Sequence, residues 1–111
     1  MRRLCMDNDP FEVTLTGDGH RYVATLGGQE VGHAEIDPIG ADAIIIKHTE
    51  ISPEFEGRGL AGKLVKAMLE DSRSRGRTVI PVCPYAAAWI KKHPEYLEYV
   101  RPSYRAVLTR A

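Results

Sequence analysis

The chain has 111 residues, of which 43% are hydrophobic and 27% charged, as in an ordinary single globular domain. Its 15 basic and 15 acidic residues cancel, which argues against a protein that binds nucleic acid by neutralising many phosphates. We find no run of about 18 apolar residues that could span a membrane and no apolar secretory segment after the basic start. The composition therefore predicts a single cytoplasmic domain over residues 1–111.

The first half of the chain predicts a meander of antiparallel strands. Short segments that alternate apolar and polar residues, or are apolar throughout, are separated by turns rich in Gly, Asp and Pro. The predicted strands are 11–16, 22–26, 31–36 and 43–51. Residues 37–40 end the third strand, and the fourth begins apolar on both faces, which is typical of a central strand.

A helix and another strand follow. The residues at helical spacing on one face are Leu60, Leu64, Ala67, Met68 and Asp71. Gly76 is a suitable C-terminal stop, and residues 78–83 predict a buried strand. This strand, helix and strand form a crossover that favours a parallel pair. Pro81 indicates either a break in pairing or a sheet edge.

The C-terminal part predicts a second helix over 84–92, ended by Pro94, and one or two further helical turns over 95–100. Residues 106–109 predict a short last strand. The sequence thus predicts an α/β (α+β) fold with a mixed sheet. An antiparallel meander is followed by a strand–helix–strand crossover and a C-terminal helix.

A glycine-rich turn stands directly before the first helix. Gly57, Gly59 and Gly62 permit a tight turn and a close approach of a ligand to the backbone. The unpaired N–H groups of a helix N-terminus suit a phosphate. Gly57-x-x-x-x-Gly62-Lys63 also has the spacing of a Walker A loop, although Leu64 stands where that loop needs Ser or Thr. A simple turn that starts a helix is the third interpretation.

The segment Glu56-Gly-Arg-Gly-Leu-Ala61 resembles the Gln/Arg-x-x-Gly-x-Gly/Ala pattern of the GNAT acetyltransferase superfamily, with Glu56 in the place of Gln or Arg. Segments 48–51, 82–85 and 90–96 resemble the small GNAT branch that lacks the N-terminal helices and carries a cysteine after the fifth strand. The resemblance covers roughly residues 10–100, which are the expected core of the domain. The resemblance implies an N-acetyltransferase that uses acetyl-coenzyme A, without a metal, to acetylate the amine of a small molecule or a protein.

The resemblance also implies which residues bind the coenzyme. The expected coenzyme-binding residues are Ile51, Gly57, Arg58, Gly59, Leu60, Ala61 and Tyr85. The glycine-rich turn would hold the pyrophosphate, and the backbone of Ile51 would pair with the pantetheine arm where two parallel strands splay apart. Glu56 would repel the pyrophosphate, and Arg58 and Lys63 supply positive charge nearby.

Three residues are candidates for catalysis: Cys83, His48 and Glu50. Cys83 precedes Pro84, so its thiol lies at a predicted helix N-terminus, which favours the thiolate. It would accept the acetyl group or protonate the coenzyme thiolate; the alternative is a small buried apolar residue. His48 and Glu50 share a strand face, and either would take a proton from the amine or simply be a solvated surface residue.

The other cysteine, Cys5, has no partner at metal-ligand spacing, so neither a zinc site nor a disulfide framework is predicted. A different class of function remains open, a non-catalytic coenzyme A-binding or thiol-sensing module. Glu56 favours that alternative, because it weakens the coenzyme site. The helix start at Cys83 and Pro84 opposes it.

Overall fold

The computed structural model describes residues 11–109, so that Cys5 lies outside the described part. The strands are β1 (Phe11–Leu15), β2 (Arg21–Leu26), β3 (Gln29–Ile39), β4 (Ala43–Ile51) and β5 (Thr78–Pro81). The helices are α1 (Leu60–Ser74), α2 (Pro84–Lys92) and α3 (Pro102–Thr109), with 3₁₀ segments at Pro53–Phe55 and Pro94–Tyr99.

The strands form one five-stranded sheet in the order β1-β2-β3-β4-β5. The first four strands pair antiparallel, and β5 pairs parallel to β4 after the crossover through α1. This mixed topology confirms the predicted fold class. The boundaries predicted for β4 and α2 also agree with the structure, and α1 ends just before Gly76, which has a φ of +75°.

Strand β3 is longer than predicted. Residues 37–39, which the sequence predicted as a turn, stay in the ladder, and Pro38 lies opposite Ile44. A proline at this place removes one donor but leaves its carbonyl and its extended backbone. The apolar start of β4 supplies a partner along this whole length, so pairing between strands outweighs the local turn signal.

The predicted last strand is wrong, because residues 106–109 belong to α3. A short apolar run does not by itself distinguish a strand from a helix, and Pro102 at the first helical position favours a helix start. Strand β5 ends at Pro81 rather than at residue 83. The N–H of Val82 turns back to the carbonyl of Ile80 at 3.0 Å, which takes the backbone out of the ladder.

The core lies between α1 and one face of the sheet, which we call the helix face. The buried residues of α1 are Leu60, Leu64, Val65, Met68, Leu69 and Ser72. Three of the predicted stripe residues, Leu60, Leu64 and Met68, are among them, whereas Ala67 is half-buried. The residues that alternate with the helix-face positions, such as Arg21, Glu35 and His48, are at least partly exposed and define the open face.

Asp71 anchors α1 to the sheet through a polar contact at the edge of the core. Its Oδ2 accepts hydrogen bonds from the hydroxyl of Tyr22 at 2.6 Å and from Nε of Arg75 at 2.7 Å. Partial burial by itself raises the pKa of this carboxyl, but the bonds from Tyr22 and Arg75 outweigh it and lower the pKa below its ordinary value. The ionised form of Asp71 therefore stabilises the fold.

Replacing Asp71 with Asn is expected to lower the free energy of unfolding at pH 7 by about 1 kcal/mol, a discounted figure because solvent screens the half-exposed carboxylate. A lowered folded-state pKa gives stability that is fully present above the unfolded value of about 3.9 and is lost as the pH falls through the folded value. Urea unfolding at pH 7 and pH 3 measures this, with Asp42→Asn as the control. A difference between wild type and Asp71→Asn that is equally large at both pH values would contradict it.

Candidate active site

Strand β4 extends beyond the end of β5 and leaves an open backbone edge. The parallel ladder ends at the pair of Ile46 and Pro81, and the N–H of Cys83 donates to the carbonyl of Ile46 at 2.8 Å. The N–H of Ser52 donates to β3, at the carbonyl of Val31. Because backbone groups of successive strand residues point to opposite edges, those of Ile51 point into the gap beside β4.

A cavity of about 440 Å³, which we call the loop cavity, lies at this gap. It is bounded by the end of β4, the following 3₁₀ segment, the glycine-rich turn and the start of α1 and α2. Its lining residues are Thr49, Glu50, Ile51, Phe55, Glu56, Gly57, Gly59, Leu60, Ala61 and Tyr85. Every predicted coenzyme-binding residue except Arg58 is therefore in the lining. Thr49 and Phe55 are lining residues that the sequence analysis did not single out.

Residues of the glycine-rich turn that line the cavity have N–H groups without a backbone acceptor. Gly57 and Gly59 have φ values of +86° and +76°, a left-handed conformation that residues with a Cβ rarely adopt. The first N–H of α1 with an acceptor in the helix register is that of Lys63, which bonds the carbonyl of Gly59 at 3.3 Å. Within residues 11–109, the N–H groups of 57–62 have no backbone acceptor. A phosphate group fits such a set of donors.

Helix α2 packs against α1 at Gly62, and this contact brings Tyr85 to the cavity. A Cβ at Gly62 would lie 2.9 Å from Nε1 of Trp89 and 3.6 Å from the hydroxyl of Tyr85. The third glycine of the turn therefore serves helix packing rather than the turn itself. Trp89 is partly buried beside it and packs against the hydrophobic core.

Neither Arg58 nor Lys63 is among the lining residues of the cavity. The guanidinium of Arg58 lies 5.1 Å from the ring centroid of Phe55, and the ammonium of Lys63 lies 5.9 Å from that of Phe11. The charged residues in the lining are Glu50 and Glu56. Compensation of the charge of Glu56 by Arg58 and Lys63 stays a prediction.

Cys83 is the N-cap residue of α2, as predicted, but its thiol makes no capping hydrogen bond and is only 3% exposed. Its Sγ lies 3.6 Å from Oγ1 of Thr49. Because Thr49 lines the loop cavity, its hydroxyl lies between the cavity and the thiol. The sequence contained a signal for Thr49, since the residue between His48 and Glu50 must point to the opposite face of β4.

His48 and Glu50 share the open face of the sheet, as predicted. Nε2 of His48 lies 3.5 Å from Oε1 of Glu50, and Nε2 of His33 lies 3.9 Å from the same oxygen. His33 stands directly opposite Glu50 in the register of β3 and β4. The side chains of His48 and Glu50 are more than half exposed, so this cluster is accessible to a solute in water.

Comparison with known proteins gives the family. A sequence model described as GCN5-related N-acetyl-transferase matches residues 21–100, which include the whole of the loop cavity. The chain belongs to the GCN5-related N-acetyltransferase family. It is also 30% identical over 66 residues to protein NATD1 of Gallus gallus. That match covers 58% of this chain and 60% of NATD1.

Solved GNAT structures have the same fold. A GCN5-like protein from Staphylococcus aureus superposes with a TM-score of 0.61 at 22% identity, over 81% of this chain and 87% of that one. A GNAT family acetyltransferase from Elizabethkingia anophelis, solved with acetyl-CoA bound, gives 0.53 at 15% identity, over 68% and 65% of the two chains. These likenesses confirm the predicted GNAT-like sheet and its helices.

Within residues 11–109, no helix is long and apolar enough to cross a membrane. No group of His, Cys, Asp and Glu side chains in the same residues is arranged to hold a metal ion.

Proposed function

We propose that the protein transfers an acetyl group from acetyl-coenzyme A to an amine. The observation that carries the proposal is the open edge of β4 at the loop cavity, which leads directly into the unpaired amides of the glycine-rich turn. A backbone edge suits the two amides of a pantetheine arm, and free N–H groups suit a pyrophosphate. The family match supports the same assignment.

In this proposal the predicted residues act together in binding. The amides of 57–61 hold the pyrophosphate, and the backbone of Ile51 pairs with the pantetheine arm. Tyr85, at the start of α2, covers the arm from the other side of the cavity. Arg58, whose guanidinium lies over the ring of the lining residue Phe55, contributes positive charge.

The transfer needs a base and an acid. Glu50, with His48 beside it, takes the proton that an alkylammonium group must lose before its nitrogen can attack the thioester carbonyl. As the C–N bond forms, the C–S bond breaks and the sulfur takes a proton from the thiol of Cys83, which Thr49 orients. The second proton that the nitrogen loses then restores this thiol. In the other route the acetyl group passes first to Cys83 and then to the amine.

A second function is a coenzyme A-binding or thiol-sensing module without turnover. Two observations favour it: the thiol of Cys83 is buried, and the charged lining of the loop cavity is acidic. A cytoplasmic location remains a prediction from the sequence.

Calorimetric titration with acetyl-coenzyme A, coenzyme A and ATP tests the proposal at its first step. Saturable binding of both coenzymes without binding of ATP supports the pyrophosphate role of the turn and excludes a Walker A loop. An acceptor screen then separates the transferase from the binding module. If neither coenzyme binds, the proposed function is wrong.

Replacing Glu56 with Arg is expected to tighten coenzyme A binding about tenfold at low salt, because a carboxylate in the cavity lining becomes a cation that attracts pyrophosphate. The matched control is Glu54→Arg, which makes the same change of charge at an exposed residue outside the lining. Calorimetry measures both affinities. An equal effect of the two substitutions would show that only the overall charge matters and would exclude repulsion by Glu56 at the site.

A further inference from the structure

The open face of the sheet has a second cavity, of about 360 Å³, beside the cluster of His48 and Glu50. We call it the charged cavity. The charged residues in its lining are Asp18, His20, Arg21, Glu35, Asp37 and Lys47. The function proposed above makes no use of it.

Most of these charges are already paired. Asp18 accepts hydrogen bonds from Oγ1 of Thr16 at 2.6 Å and from the N–H of His20 at 3.0 Å, and these bonds keep the pKa of its carboxyl below the ordinary value. Asp37 lies 3.5 Å from Nδ1 of His20 and 3.3 Å from the ammonium of Lys47. These residues therefore hold the wall of the cavity together.

Arg21 and Glu35 differ from the others. They stand directly opposite each other in the register of β2 and β3, and both line the cavity. Within residues 11–109 neither side chain forms a hydrogen bond or a close ion pair, although the charge of Arg21 also acts on Asp18. The cavity therefore presents a guanidinium, which suits a carboxylate, next to a carboxylate, which suits an ammonium.

The charged cavity is connected to the proposed base by the strand register. Glu35 lies opposite His48, and the next residue of β3 on the same face, His33, lies opposite Glu50. Glu50 is therefore the diagonal neighbour of Glu35 across the β3–β4 ladder, and such neighbours are about 7–8 Å apart. An ammonium group at Glu35 and an amine at Glu50 are separated by about that distance, and Glu50 also lines the loop cavity.

From this spacing we propose that the acceptor is a free α,ω-diamino acid of about the length of lysine. Its α-carboxylate binds Arg21, its α-ammonium binds Glu35, and its side-chain amine reaches Glu50. An extended four-carbon side chain separates the two nitrogens by about 7 Å, which matches the distance along the sheet. This inference depends on the acetyl transfer proposed above.

The reaction is balanced with the groups already named. The side-chain ammonium gives a proton to Glu50, and its nitrogen forms a bond to the thioester carbonyl carbon. The C–S bond breaks, the coenzyme sulfur leaves with the proton of the Cys83 thiol, and the second proton that the nitrogen loses returns to Cys83. The products are the ω-N-acetyl amino acid and coenzyme A.

Four amines test each recognised group separately in a steady-state assay of coenzyme A release. L-lysine has both recognised groups, pentane-1,5-diamine lacks the carboxylate, 6-aminohexanoate lacks the α-ammonium, and butylamine lacks both. We expect kcat/KM to fall about tenfold for each missing group, as for the loss of one charge-assisted contact. Equal kcat/KM for L-lysine and butylamine would overturn the inference.

Two variants assign the groups to residues. Arg21→Gln should lower kcat/KM about tenfold for L-lysine and 6-aminohexanoate but leave pentane-1,5-diamine unchanged. Glu35→Gln should have the opposite selectivity, affecting L-lysine and the diamine. Glu12→Gln, an exposed strand carboxylate outside the cavity, is the control and should change none of the four. Variants that affect all four amines equally contradict the assignment.

The failure of this inference is distinguishable from that of the proposed function. If butylamine is acetylated as efficiently as L-lysine, the protein is an acetyltransferase but the proposed acceptor class is wrong. If acetyl-coenzyme A binds and none of the four amines is acetylated, calorimetric titration with L-lysine tests whether the charged cavity binds this amino acid. L-lysine binding that Arg21→Gln weakens supports the site, and its absence overturns it.

Discussion

Replacing Gly32 with alanine is expected to lower the free energy of unfolding by about 3 kcal/mol. Gly32 lies opposite Ile51 in β3, and a Cβ there would stand 2.5 Å from the carbonyl oxygen of Glu50 and 3.2 Å from Cα of Ile51. Both contacts are with backbone, so no side-chain rotation relieves them. The end of β4 has to move away from β3, which also displaces the open edge at the loop cavity.

Chemical unfolding measures the loss of stability, and calorimetry measures the expected weakening of coenzyme binding. The matched control is Gly17→Ala, because a Cβ at Gly17 meets no atom within 4 Å. We expect this control to change the free energy of unfolding by no more than about 0.5 kcal/mol. If the two variants unfold at the same denaturant concentration, the close approach of β3 and β4 at Gly32 is wrong.

Replacing Cys83 with alanine is expected to reduce acetyl transfer at least about 100-fold while leaving coenzyme affinity unchanged. The substitution removes the proton donor, or the acetyl acceptor, that the proposed reaction requires. It removes little else, because the backbone of Cys83 makes the bond to Ile46 and keeps the start of α2. A small buried side chain is shortened by one sulfur, so we expect a loss of stability of about 1 kcal/mol.

Single-turnover assays at saturating acetyl-coenzyme A measure this effect apart from binding. Val82→Ala changes the neighbouring exposed residue of the same turn and should keep full activity. If Cys83→Ala acetylates every active acceptor at the wild-type rate, the thiol is a packing residue only. Mass spectrometry of wild type after incubation with acetyl-coenzyme A alone separates the two routes, because only the two-step route leaves an acetyl group on Cys83.

The sequence predicted most of the fold because its local signals agree with the tertiary structure. Three local patterns were sufficient: the alternation along the first strands, the glycine-rich turn, and the apolar helical stripe that begins at Leu60. Each pattern depends only on residues that are close together in the chain. Two of the errors arose where a local signal was weak or outweighed. Residues 37–39 have turn composition but find a strand partner in β4, and residues 106–109 are too short a run to indicate a helix or a strand.

The sequence by itself determined the family, because its motifs occur in the family's order. It also identified the glycine-rich turn that lines the loop cavity. Only the tertiary structure decided which residues that are distant in the chain come into contact. It placed Thr49 against Cys83, turned Arg58 and Lys63 onto aromatic rings, and buried the thiol. It also set Arg21 opposite Glu35 on the open face. Such pairs depend on strand register and helix packing, which are set by contacts between residues far apart in the chain.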